Sequence, residues 1–301
     1  MFVLCTVIAG VLWGLISVFI RPLEAAGFTT MQVLMVRGLL SSLMLFIFLL
    51  IKDRQLLKIR LKDIWMFIGT GVVSLTFFSF CYFKTIIEIG TSIAVILLYT
   101  SPIFVLLFSV FLFKEKITWI KILALIMTFA GCILVTGIAG GKDSITLKGF
   151  LIGICAGIGY ALYSVFSRYA LARYNPMTVT FYTFVFSGIS VIPFCHISGL
   201  KPLLFNSAVG VQFSTMKIWL LVIGISLFCT VLPYILYTKG LSGLETSKAA
   251  ILVTVEPLVG SLIGIFLWKE PANAEKIIGI ICIFAAVIML GLKPDSKKQE
   301  S

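Results

Sequence analysis

Long apolar runs separated by short polar connections dominate this chain. Ten runs have roughly the 20 residues that a helix needs to cross the hydrocarbon core of a bilayer. A membrane β-barrel would instead show segments of about ten residues with alternating polarity. The pattern therefore predicts an all-α integral membrane protein with ten transmembrane helices. The predicted spans are 2–20, 31–51, 64–83, 91–113, 117–138, 149–169, 177–195, 218–238, 249–268 and 276–292.

The composition excludes a soluble enzyme. Of the 301 residues, 60% are apolar and 12% are charged, whereas soluble domains have about 45–50% and 25%. The net charge is +12, but the basic residues sit singly in the connections between apolar runs. We therefore expect anionic lipid headgroups, and not nucleic acid, as their counter-charge.

No cofactor or metal chemistry is predicted. The seven cysteines lie in or beside apolar runs and form no CxxC pair, which favours buried apolar filler. The sequence Gly140-Gly141-Lys142 fails the P-loop pattern, because position 136 is Thr and Asp143 follows the lysine. His196 adjoins a loop and is no candidate for a general base. The chain is therefore not expected to be an enzyme.

Lysine and arginine are distributed unevenly between the two sides of the predicted bundle. With the N-terminus inside, the cytoplasmic connections and tail carry 15 basic residues and the outer connections carry eight. Basic residues favour cytoplasmic loops. The bias is strongest in the 52–62 loop and the C-terminal tail. We expect a multi-pass inner-membrane protein with both termini in the cytoplasm.

The second half of the chain repeats the first. Residues 84–137 align without a gap to 239–292, and eighteen of the 54 pairs are identical. Residues 9–21 align to 156–168, with seven of 13 identical. The matched pairs include Thr91/Thr246, Ser92/Ser247, Pro102/Pro257, Lys114/Lys269, Glu115/Glu270 and Arg21/Arg168.

The number of spans in each repeat makes the two repeats inverted. Each half holds five spans, and five is odd, so the second half enters the membrane from the opposite side. Inverted repeats are typical of secondary transporters, whose site lies near the midplane between them. We predict repeat 1 at 1–140, repeat 2 at 149–292 and a cytoplasmic tail at 293–301.

These repeats resemble the EamA family of the drug/metabolite transporter superfamily, over nearly the whole chain. The matching residues are Trp13-Gly14, Arg37, Thr91-Ser92-x-Ala94, Pro102 and Lys114-Glu115, then Ser247-x-Ala249, Pro257 and Lys269-Glu270. The resemblance implies a ten-helix basket in which helices 1–4 and 6–9 surround a central cavity and helices 5 and 10 are peripheral. It also implies transport, often outward, of amino acids, other small metabolites or drugs.

Glu256 is the one acidic residue placed deep inside a predicted span. A charge at the bilayer centre costs about 2.5–3.5 kcal/mol on insertion scales, so its carboxyl should face a cavity or a partner. Its repeat partner is Ser101, so the acid is not part of the symmetric frame. Three roles stay open: a proton carrier, a substrate contact, and an acceptor for backbone groups freed at the kink beside Pro257.

Arg37 is the one basic residue well inside a span. Its guanidinium can bind a substrate carboxylate through two parallel hydrogen bonds. The alternative is a structural ion pair, or a side chain that reaches the membrane surface. The sequence favours this alternative, since Arg37 falls in the outer third of its helix.

Mid-span prolines and aromatic residues indicate where the cavity lies. Pro102 and Pro257 each remove a backbone donor, and broken backbone is tolerated only against protein or a water-filled cavity. Rings with one polar group suit an amphipathic solute. Packing alone is the alternative for each of these residues. The remaining predicted cavity residues are Trp13, Tyr82, Tyr99, Ser101, Tyr160 and Tyr234.

The remaining features of the sequence are stripes of small residues and two Lys-Glu pairs. Stripes that include Gly10 and Gly157 predict close helix packing. The Lys114-Glu115 and Lys269-Glu270 pairs fall at opposite membrane faces. A gate ion pair is one interpretation; a solvated or headgroup-level pair, worth about 0–1 kcal/mol, is the favoured one.

We therefore predict a secondary-active carrier that exports amino acids or related metabolites by alternating access. Its partners are a small-molecule solute and the lipid bilayer, and it is a monomer or homodimer. Two other hypotheses stay open: uptake of an organic cation such as choline, and an intramembrane enzyme or non-transporting structural protein.

Overall fold

The computed structural model describes residues 1–136, 146–195, 199–205 and 213–292. Within these residues, ten helices are long and apolar enough to cross a membrane, which confirms the predicted number. They are α1 Phe2–Ala25, α2 Thr30–Lys52, α3 Leu61–Ile89, α4 Thr91–Phe113, α5 Trp119–Thr136, α6 Leu147–Leu171, α7 Pro176–Phe194, α8 Thr215–Gly243, α9 Thr246–Phe266 and α10 Ala274–Gly291. His196, the glycines at 140 and 141, Lys142, Asp143 and the 293–301 tail lie outside the described residues.

Several of these helices are locally broken. In α4 the regular helix stops at Leu98 and restarts at Ser101, and in α9 it stops at Leu252 and restarts at Val255. Both interruptions lie just before the matched prolines. The matched helices α3 and α8 each contain a wider π-helical segment, a local feature that often accompanies functional sites.

Helix packing follows the pairing that two equivalent halves require. The contacts of α1 with α8 and of α1 with α9 are matched by contacts of α6 with α3 and of α6 with α4. The helices α2 and α7 pack on each other. The helices α5 and α10 also pack mainly on each other, with Gly131 against the backbone of Gly279. The other eight helices surround the central region, and α5 and α10, which were expected to be peripheral, also reach it through Cys132, Val135, Thr136 and Lys276.

Contacts at the helix ends define two faces of the bundle. On one, which we call the Arg21 face, Arg21 near the end of α1 bonds to Glu270 just after α9. On the other, the Arg168 face, Arg168 near the end of α6 donates to carbonyl oxygens at the end of α8. The helices α1 and α6 thus end at opposite faces, which is the relation expected of inverted halves.

Candidate functional site

Two cavities meet in the centre of the bundle. The larger, of about 420 Å³, lies between α1, α4, α5, α9 and α10 and reaches the Arg21 face. The second, of about 250 Å³, lies between α1, α2, α3, α4 and α6. Both are lined by Ile16, Val95, Tyr99 and Glu256. They therefore form one site with two lobes, and Glu256 stands where the lobes join.

The break in α9 places Glu256 in this site. The Thr254 hydroxyl donates to the Ile251 carbonyl at 2.5 Å, and the Glu256 amide donates to the Val253 carbonyl at 3.0 Å. These bonds satisfy backbone groups locally, so the Glu256 carboxyl is left to face the cavity. In the described part of the chain, its hydrogen bond comes from the Tyr160 hydroxyl at 3.4 Å. The hypothesis that Glu256 only serves the kinked backbone is therefore wrong.

Two matched glycines let neighbouring helices approach the breaks. A Cβ atom at Gly10 of α1 would lie 2.7 Å from the Val253 carbonyl oxygen. A Cβ atom at Gly157 of α6 would lie 2.8 Å from the Leu97 carbonyl oxygen. Both separations are too short for a real side chain. The small-residue stripes thus support the close packing that was predicted, and they hold the broken segments of α9 and α4 in place.

Arg37 lines the second lobe from α2. Within the described residues it forms no ion pair and no hydrogen bond. Of the two forms of the alternative favoured from the sequence, a structural ion pair is thus absent from the described residues, while a side chain that reaches the membrane surface stays a prediction. Its guanidinium and the Glu256 carboxyl belong to the same lobe without forming a salt bridge to each other.

An aromatic cluster closes the site toward the Arg168 face. The ring of Tyr234 packs edge-on against Trp13 at 4.8 Å and against Tyr163 at 5.1 Å between centroids. Ser164 and Tyr237 share a hydrogen bond of 2.8 Å beneath them. The void left among these side chains is about 10 Å³, which holds one water at most. This cluster is therefore a packed floor.

The predicted site residues form three groups: those that line one or both lobes, one in the floor, and two that line neither lobe. Glu256 and Tyr99 line both lobes, Trp13 and Pro257 line the larger lobe, and the second lobe has Arg37, Tyr82 and Tyr160. Tyr234 belongs to the floor. Ser101 and Pro102 are buried at the restart of α4 and line neither lobe.

The mouth of the larger lobe carries charged residues whose pairing the sequence did not predict. Glu270 accepts hydrogen bonds from Arg21 at 2.5 Å and from Lys276 at 3.1 Å. Arg21 also lies over the Trp268 ring. The bond from Arg21 holds the pKa of the Glu270 carboxyl below its usual value, against the opposing effect of partial burial. The other unpredicted lining residues include Ser17, Thr91, Ser92 and Ser261.

The two Lys-Glu pairs do not behave as solvated pairs. Glu115 has a side chain only 7% exposed and lies 3.8 Å from the Lys121 ammonium. Neither Glu115 nor Glu270 forms an ion pair with its neighbouring lysine among the described residues. The headgroup-level interpretation is thus wrong for Glu115. The repeat alignment did indicate the lysines that pair with Glu115 and Glu270, since it matches Lys121 to Lys276.

Ten membrane-crossing helices around a central two-lobed cavity define a multi-pass membrane transporter. The model of the EamA-like transporter family matches residues 1–137 and 147–292. The chain belongs to the EamA-like transporter family.

Related proteins agree with this assignment. An uncharacterized transporter of Archaeoglobus fulgidus is 27% identical over 288 residues, which cover 94% of this chain and 93% of that protein. The uncharacterized transporter YxxF of Bacillus subtilis is 24% identical, covering 97% and 89%. One solved crystal structure superposes with a TM-score of 0.75 at 17% identity, covering 96% of this chain and 95% of that one. This last likeness shows the fold alone.

Proposed function

We propose that the protein carries small zwitterionic solutes, amino acids or close relatives, across the membrane by alternating access. The observation that carries this proposal is the second lobe, where Glu256 and Arg37 face one cavity without pairing to each other. An α-amino acid presents an ammonium and a carboxylate. These two groups complement the two charged walls.

The surrounding walls suit an amphipathic side chain. Tyr82, Tyr99 and Tyr160 line the second lobe with Arg37 and Glu256. Ligand pockets for small molecules are commonly about 300–1,000 Å³ and mostly apolar, with a few placed polar groups. The two lobes, of about 420 and 250 Å³, have this size when taken together, and their lining has this character. Arginine binds carboxylates through two parallel hydrogen bonds, which would also fix the orientation of the solute.

Export is the direction we propose. The charge count predicts that the Arg168 face is cytoplasmic, so the open Arg21 face is the side of release. Outward movement is also what the resemblance to this family implies. Glu256 is the acid through which proton coupling would act, since it is half-buried at the junction of the lobes.

Flux in proteoliposomes tests the proposal. Purified protein is reconstituted, and exchange of a radiolabelled mixture of neutral amino acids is compared between wild type, Arg37→Met and Glu256→Gln. We expect saturable exchange in the wild type and loss of at least tenfold in both variants. Asp53→Asn, which changes an exposed residue after α2 that lines neither lobe, is the control and should retain flux.

Other outcomes identify the alternatives. Choline exchange that survives Arg37→Met but not Glu256→Gln would replace the zwitterion by an organic cation. Product formation in detergent, without a membrane barrier, would favour an enzyme. Amino-acid exchange that both variants retain would overturn the assignment of the second lobe as the binding site.

A further inference from the structure

At the Arg168 face, Glu115 fastens α4 to the start of α9. Its carboxylate accepts hydrogen bonds from the backbone amides of Thr246 and Ser247 at 2.5 and 3.1 Å, and from the Ser247 hydroxyl at 2.5 Å. A carboxylate at a helix start is also stabilised by the helix dipole. Since Glu115 follows the end of α4, these bonds hold the two helices together at this face.

At the Arg21 face, the residues that match this contact in the repeat do not bond to one another. Glu270 occupies the repeat position of Glu115, but it is bonded to Arg21 and Lys276. Thr91 and Ser92, the repeat partners of Thr246 and Ser247, line the open cavity. Within the described part of the chain, no side chain accepts a hydrogen bond from their amides. One face therefore has the carboxylate docked, and the other has it undocked.

The backbone has the same conformation before Glu115 and before Glu270. Lys114 and Lys269 precede them with φ angles of 53° and 58°, the left-handed conformation that turns the chain after α4 and after α9. The Glu115 amide then bonds back to Ser109 at 3.1 Å and the Glu270 amide to Gly264 at 3.0 Å. Positions 109 and 264 are also matched. The two faces thus have the same local structure before the carboxylate, which is docked at the Arg168 face and undocked at the Arg21 face.

We propose that Glu115 and Glu270 are alternating gate residues. When the Arg21 face closes, Glu270 leaves Arg21 and accepts from the amides of Thr91 and Ser92 and from the Ser92 hydroxyl. At the same time Glu115 leaves Thr246 and Ser247. Its new partner is Arg168, the repeat counterpart of Arg21. The inference rests on the proposed alternating access, but not on the identity of the solute.

The two arginines make such an exchange physically feasible. Arg168 now donates to the Leu241 and Leu244 carbonyls at 2.5 and 3.1 Å. The repeat places Ile86 and Ile89, at the end of α3, where they would offer Arg21 the matching carbonyls. Each carboxylate and each arginine therefore has a partner in both states. This matters because removing one partner from a buried charge is far more costly than exchanging it.

Labelling of a cysteine in the cavity tests the proposal without any substrate. All native cysteines are replaced and Gly260→Cys is introduced; Gly260 lines the larger lobe, and an added Cβ would meet only the Gly14 carbonyl oxygen at 3.8 Å. A membrane-impermeant thiol reagent is applied separately to each side of oriented vesicles. The readout is the ratio of labelling rates from the two faces, compared between Glu115→Gln, Glu270→Gln and the control Asp53→Asn, at an exposed residue after α2.

The two gate variants should move this ratio in opposite directions. Glu115→Gln should lower the Arg21-to-Arg168 ratio by about tenfold or more, because a hydrogen bond to a charged group is stronger than one to a neutral group. Glu270→Gln should raise the ratio, and Asp53→Asn should leave it unchanged. A shift in the same direction for both gate variants, or no shift in either, would overturn the proposal. Loss of amino-acid flux with opposite shifts intact would instead count only against the proposed solute.

Discussion

Replacing Ser247 with alanine is a sharp test of the closed face, because the chain contains a matched control. Ser247 is fully buried, and its hydroxyl donates to Glu115 at 2.5 Å. A hydrogen bond to a charged group contributes about 1.5–3 kcal/mol, and alanine leaves the carboxylate one donor short. The matched residue Ser92 is half-buried at the cavity and has no side-chain partner in the described structure. We expect Ser92→Ala to change stability by less than about 0.5 kcal/mol.

These free energies convert into a measurable difference in melting temperature. An unfolding entropy of about 2.1 cal/mol/K per residue gives the 301-residue chain a Tm decrease of about 2–5 °C for Ser247→Ala. Ser92→Ala should fall within about 1 °C of wild type on the same scale. Intrinsic fluorescence in one detergent, at fixed protein concentration, gives both values. Equal decreases in the two variants, or no decrease in Ser247→Ala, would refute the docking of Glu115 on α9.

Three further predictions concern the charges and close contacts around the site. Lys121→Met should destabilise the protein by about 1.5–3 kcal/mol in detergent unfolding, because Lys121 is 3% exposed and its ammonium lies 2.8 Å from the Glu245 carboxylate; a neutral effect would contradict this. Gly157→Val should cost about 1–3 kcal/mol and reduce the monodisperse yield, since the added carbons meet the Leu97 carbonyl, whereas a normal yield would argue against the close approach of α6 to α4. Glu270→Gln should lower the Tm near neutrality but not in acid. The pKa of Glu270 is held below its unfolded value by Arg21, so its contribution is present above that unfolded value and is lost as the pH falls through the folded pKa; a Tm difference that persists at low pH would contradict the assignment.

The architecture was accessible from the sequence for simple physical reasons. Backbone groups in lipid must be satisfied within a helix, so the length of each apolar run determines a span. The breaks in α4 and α9 were indicated by Pro102 and Pro257, because proline cannot donate within a helix. Glu256 was indicated as a cavity residue by the cost of burying a lone charge. Each of these inferences depends on local sequence and on one strong energetic penalty.

The partners of the polar residues were not accessible in the same way. Arg21 and Glu270 are separated by 249 positions, and nothing local to either residue indicates the other. The role of Arg37 was also not accessible, because the sequence shows that a buried charge needs a polar neighbour, but not whether that neighbour is protein or solute. Ser101 was expected in the cavity from its match to Glu256, yet the two helix breaks turn these matched positions toward different surroundings.

The repeat also limits what sequence can say about the access state. The sequence contains one proposed docking site at each face, so it is compatible with closure of either face. It therefore does not specify which face is closed in a given conformation. One difference between the two faces lies at the position just before the docking amides. Lys121 bonds to Glu245 at 2.8 Å on the Arg168 face, whereas the residue matched to Glu245 is Gly90, which has no side chain to offer Lys276.

This single difference favours the conformation with the Arg168 face closed. A free-energy difference of about 1.4 kcal/mol populates one state tenfold over the other. The partly buried ion pair between Lys121 and Glu245 is present on only one face, so it supplies an interaction that the alternate state lacks. A solute with equal affinity for both states cannot overcome such a bias. Under the proposed alternating access, the solute must therefore bind more tightly when the Arg21 face is closed. The separated walls of Arg37 and Glu256 would provide the means, because a ligand that contacts both charges favours a conformation in which α2 and α9 lie closer together.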